Sequence, residues 1–116
     1  MNEMIVAGRP PKNGNTVSIL SAISNLTSGR TVVASAGTRV QVVTVQTPVY
    51  RCTITAETDN TGAVVVGGSG VIASLSTRVG VPLNPGDSYE LEISDLSKVY
   101  LDAETSADGV TYNYFT

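Results

Sequence analysis

The chain has 116 residues, the length of one domain, and its 41% hydrophobic content is enough for a buried core. Only 15% of residues are charged, the net charge is −3 and Lys and Arg form no cluster, which removes nucleic acid from the expected partners. There is no histidine and a single cysteine, Cys52, so Ser-His-Asp and Cys-His machinery, most zinc sites and an internal disulfide framework are excluded together.

The low charge leaves a surface rich in Ser, Thr, Asn and Gly, which suits a protein packed against other proteins. No apolar run approaches the roughly 18 residues of a membrane span, so no membrane association is expected. Met1 to Pro10 lacks the basic-then-apolar order of a signal peptide, and the expected site of synthesis is a reducing cytoplasm. Asn25-Leu26-Thr27 matches a glycosylation sequon, which without a secretory signal is read as chance.

Residues 1–15 read as an extended N-terminal arm. Met4, Ile5 and Val6 make a brief apolar knot, followed by Arg9, Pro10 and Pro11; consecutive prolines hold a chain extended and donate no backbone hydrogen bond. A frayed terminus is the plain alternative. The knot favours an arm that docks on a neighbouring subunit, with these six residues as its partner-binding set.

Residues 16–37 read as an irregular or short-helix lead-in that carries the first strand. Val17, Leu20, Ile23 and Leu26 recur every third residue, which suggests a short helix over 16–29 stopped by Gly29, although Ser, Thr and Asn argue against its stability. Thr31-Val-Val-Ala34 is short and β-branched.

Residues 38–116 read as the body of an antiparallel sandwich. Val40 to Val45 holds four valines, which predicts a strand covered on both faces. Cys52, Ile54 and Ala56 alternate with Arg51, Thr53 and Thr55, the pattern of a strand with one face in a core. Asp59-Asn60-Thr61-Gly62 is a turn. A strand over 63–66 ends in Gly67-Gly-Ser-Gly70, and 71–73 reads as a small strand. Tyr89, Leu91 and Ile93 alternate with polar neighbours. Lys98 to Ala103 reads as a strand with Tyr100 and Asp102 facing outward. Ala107-Asp108-Gly109 reads as a hairpin turn before a last strand containing Val110, Tyr112 and Tyr114. Strand signals every 8–12 residues without a long helix predict an all-β sandwich of jelly-roll or immunoglobulin-like kind.

No catalytic, cofactor-binding or metal-binding residue is expected. Cys52 shares the core face with Ile54 and reads as a small hydrophobe. Asp102, Glu104 and Asp108 cluster in sequence, as glycosidase or calcium carboxylates do, but acidic residues beside a turn are expected to sit in solvent. Gly67 to Gly70 lacks the lysine and helix of a phosphate loop. Tyr100 is the one aromatic that could serve a sugar-binding groove.

Four segments carry a resemblance: Asn60-Thr-Gly-x-Val-x-Val-Gly-Gly68, Pro82-Leu-x-Pro-Gly-x-Ser88, Asp95-Leu-Ser-Lys-Val-Tyr100 and Asp108-Gly-Val-Thr-Tyr112. Together, over residues 38–115, they resemble small virion proteins of tailed bacteriophages, among them capsid decoration (cement) proteins. The resemblance implies a non-enzymatic structural protein, made in the host bacterial cytoplasm and held on the outer capsid surface of the virion. Its implied partners are the major capsid protein and further copies of itself, a trimer before a dimer. The alternative it leaves open is a head-fibre or tail-associated module that binds a receptor or carbohydrate.

Overall fold

The structure, a computed structural model, describes residues 23–116. Eight strands form two four-stranded antiparallel sheets: β1 Leu26–Val32, β2 Val40–Gln41, β3 Arg51–Ala56, β4 Val64–Gly67, β5 Val81–Leu83, β6 Ser88–Leu91, β7 Tyr100–Ala103 and β8 Gly109–Phe115. The first sheet has the order β1-β8-β3-β6 and the second β2-β7-β4-β5. The chain changes sheet at every connection except β4 to β5, so neighbours in sequence are mostly stacked rather than paired. The expected all-β antiparallel sandwich is the fold.

The core lies between the sheets. β3 contributes Cys52, Ile54 and Ala56, all fully buried, while Arg51, Thr53 and Thr55 point the other way, as the two-residue period predicted. Val64, Val66, Leu83, Leu101 and Ala103 face them from the second sheet. Val65, between two of these, joins a second cluster on the outside of that sheet. There Val71 and Ala73, from the connection between β4 and β5, fold back over Val65 and the partly buried Tyr100. Both faces of β4 are thereby covered, which accounts for its run of three valines.

Several local expectations are corrected. Leu26 to Gly29, read as the end of a helix, lie in β1, whose seven residues pair with β8 from Leu26↔Phe115 to Val32↔Gly109. Its Ser, Thr and Gly content disfavours a helix, and the long ladder to β8 decides the matter. The remainder of that helix reading, at 16–22, and the whole arm with Met4, Ile5, Val6, Arg9, Pro10 and Pro11 lie outside the described residues.

The valine-rich run yields only the two-residue β2, and Val45 is 68% exposed rather than covered. β7 begins at Tyr100 because Leu96–Lys98 form a 3-10 turn, capped by the Asp95 carboxylate accepting from the Ser97 N–H. The segment 71–73 makes one bridge, Ile72↔Val79, not a strand. Ala107-Asp108-Gly109 is no hairpin: it carries the chain from β7 in one sheet to β8 in the other, and Ala107, not the glycine, takes the positive φ of 74°.

Candidate interaction surface

The carboxylates are the first place to seek chemistry, and two of them overturn the expectation of solvent exposure. Asp102 is 2% exposed and Asp108 5% exposed. A buried carboxylate needs compensating donors, and backbone amides supply them. Asp102 accepts from Gly37 N–H at 3.0 Å, Ala73 N–H at 2.9 Å and its neighbour Ala103 N–H at 2.9 Å. Alternation places Asp102 correctly on the outward side of β7. That side is roofed by the turn at Gly37 and the segment at Ala73, so its carboxylate ties both to the sheet.

Asp108 works likewise, accepting from Thr61 N–H at 3.0 Å and Gly62 N–H at 2.8 Å. Asn60 completes the junction by exchanging two hydrogen bonds with the Gly109 backbone, at 2.9 Å each. Glu104 accepts from Ala63 N–H at 3.0 Å and pairs with Arg78. Its acidity is raised: the amide of Ala63 first, then Arg78, hold its pKa below the ordinary value. These oxygens already have partners, so the cluster is a set of loop anchors rather than a catalytic pair. Among the described residues no group of three metal-ligating side chains is found.

An open cleft of about 690 Å³ lies beside this cluster, lined by Ala36, Gly37, Ile72 and Leu75 together with Asp102 and Glu104. Tyr100 is half-buried against Val65, Val71 and Ala73. Its ring is packing material, not the floor of a groove. Cys52 is buried, and burial pushes its thiol up to about 11; a thiol so held is not a nucleophile at neutral pH.

What remains is surface. The outer face of the β1-β8-β3-β6 sheet is solvated and its side chains fall into rows fixed by register. Ser28, Asn113, Thr53 and Glu90 form one row; Arg30, Thr111, Thr55 and Ser88 form the next; Leu26, Phe115 and Arg51 form a third. Ser28 and Asn113 are hydrogen-bonded, Thr55 and Ser88 share a hydrogen bond of 2.7 Å, and Arg30 forks onto Glu57 diagonally across the sheet. These hydrogen bonds tie neighbouring strands together on the solvated face. The sequence carried a signal for it, the Thr53 and Thr55 alternation in β3. The contribution of β1 was hidden by its serine, threonine and glycine. No protein family, curated protein or solved structure matches the chain.

Proposed function

We propose that this chain is a non-enzymatic structural module of a tailed-bacteriophage virion. It docks on the outer surface of the capsid shell and stabilises the assembled head, as a decoration protein does. The observation that supports this reading best is the solvated face of the β1-β8-β3-β6 sheet, where Ser28, Thr53, Thr55, Ser88, Thr111 and Asn113 are neutral and polar and Arg30 is offset by Glu57, on a chain without histidine whose buried carboxylates are committed to backbone amides. The Ser and Thr hydroxyls and the Asn113 amide of this face can pair with a partner's polar groups and lose less side-chain entropy than long charged residues do.

Its size sets the mechanism. Four strands spaced about 4.8 Å apart and some six residues long give a face of roughly 15–20 Å by 20 Å, on the order of 300–400 Å². A stable interface needs about 800 Å² per partner. One copy therefore binds weakly, and a symmetric oligomer docking several faces at once gains affinity through effective concentration. Binding the assembled shell and not its separated subunits stabilises the shell by mass action. The sugar-binding alternative has less support, because its aromatic, Tyr100, packs in part against Val65, Val71 and Ala73.

The test is co-sedimentation of the purified chain with phage shells that lack it, with separated capsid subunits and a glycan array as controls. The expected result is saturable binding to shells alone and a raised shell melting temperature. Deleting residues 1–15 should abolish binding and leave the melting temperature of the sandwich nearly unchanged if the arm is a docking element. Normal coating by the truncated chain removes the arm from the account, and absence of binding by the full chain removes the function.

A further inference from the structure

Among the described residues the sandwich has four edge strands, and three are guarded. β2 has two residues, β5 has three with Pro82 at its centre, and β6 has four and carries Glu90. Short length, proline and charge are the usual protections against edge-to-edge pairing. β1 has none of these: it is seven residues long, without proline, lysine or an acidic residue, and its one charge, Arg30, is neutralised by Glu57. Leu26 on this strand is 61% exposed.

The ladder to β8 fixes which backbone groups face outward. Asn25 and Thr116 exchange hydrogen bonds of 2.9 and 3.0 Å, and Val33 donates to Asp108 and accepts from Ala107. Odd-numbered residues therefore spend their N–H and C=O groups on β8. The N–H and C=O groups of Leu26, Ser28, Arg30 and Val32 point away from the sheet and find no partner among the described residues.

We propose that β1 pairs antiparallel with β1 of a second copy, about a two-fold axis at Gly29, joining the two four-stranded sheets into one. In this register Leu26 lies opposite Val32 of the second copy and Ser28 opposite Arg30, so apolar meets apolar and no like charges face each other. Shifting the axis by one residue to Arg30 would set two guanidinium groups directly opposite, which is destabilising. The joined sheet doubles the outer face to the area a stable protein contact requires. The pairing selects a dimer over the trimer that the family resemblance implies. It rests on the open edge of β1 and the side-chain register along it, and stands or falls apart from shell binding.

The experiment is sedimentation velocity of the full chain across a concentration series, joined to amide hydrogen exchange. A dimer is expected, with slow exchange at Leu26, Ser28, Arg30 and Val32. Ser28→Pro deletes one outward N–H without touching the ladder to β8, and should weaken the dimer at least tenfold. Ser28→Arg should weaken it similarly by facing Arg30 of the second copy, whereas Ser28→Glu should not. This charge pair keeps the test decisive if the proline variant fails to fold. A monomer at all concentrations, a three-fold oligomer, equal effects of Arg and Glu at position 28, or edge amides protected in a monomer would each overturn the proposal.

Discussion

The phenol of Tyr112 occupies the space that a side chain at Gly29 would need. The two residues are cross-strand partners in β1 and β8, and a Cβ at Gly29 would overlap the Tyr112 ring. Glycine in a strand costs backbone entropy and offers nothing to pack. Here the ring of its neighbour lies over it and supplies the missing contact, as aromatics do for edge glycines. Burial also raises the Tyr112 pKa, with the Tyr114 charge adding to that effect.

Gly29→Ala is therefore expected to destabilise the sandwich by about 1–3 kcal/mol, the usual range for overpacking. Tyr112→Val alone should also destabilise, by removing the ring. The double variant should lose less than the sum, because a short side chain at 112 makes room for the alanine. A thermal or urea double-mutant cycle measures the coupling; strict additivity would show that the two residues do not compete for the same space.

Asp108 holds two loop amides, so its removal strands both. Asp108→Ala leaves the N–H groups of Thr61 and Gly62 without their acceptor beneath the turn. Thr61 is exposed and Gly62 part-buried, so the expected cost is that of lost hydrogen bonds whose donors water can reach, about 0.5–1.5 kcal/mol each. Glu90→Ala, on the solvated face, should stay within about 0.5 kcal/mol of the parent. Equal urea midpoints for the two variants would show that the Asp108 contacts carry no stability.

Most of the strand content can be read from residues, and the failures have a common cause. β3 announces itself because Arg51 to Ala56 alternates without a break and faces solvent on one side only. Asp102 looks solvent-facing for the same reason, since alternation places it opposite Leu101. Its cover comes from Gly37 and Ala73, far away in sequence, and no local pattern reports such a roof. β1 fails in the other direction: Thr27, Ser28 and Gly29 have no strand signature, and their strand exists because β8, at the far end of the chain, needs a partner. Ala107 to Gly109 has the composition of a hairpin, yet the next strand belongs to the opposite sheet. Composition reports bends; it does not report which sheet a bend leads to.

Acid should loosen the loops before the core. Asp95 is held below its ordinary pKa chiefly by the Thr47 N–H, then by the Ser97 hydroxyl, and Glu104 by the Ala63 N–H and Arg78. A carboxylate with a depressed folded pKa contributes stability above its unfolded pKa and loses it as pH falls, because the unfolded chain takes up the proton first. The melting temperature should be level between pH about 5 and about 8 and fall progressively below pH about 4, the ordinary carboxylate range. Asp95→Asn keeps an acceptor for Thr47 but cannot titrate, so its acid slope should be shallower. An unchanged slope would mean that the Asp95 cap does not form in solution.

Cys52 offers a reporter of global unfolding. It is fully buried on β3, between Leu91 and Tyr114 on the neighbouring strands, and its thiol is pushed up to about 11 by desolvation. A thiol-reactive dye at neutral pH should label it only through unfolding, with a rate that rises in urea in step with the loss of strand signal. The same shift has an alkaline consequence. The unfolded thiol ionises near its ordinary pKa of about 8.5, whereas the folded thiol stays neutral, so stability declines as pH rises from there through about 11. Cys52→Ala should lack the thiol's share of that decline while losing some stability to the cavity it opens. Rapid labelling of the native protein at neutral pH would place Cys52 at the surface and take β3 out of the core.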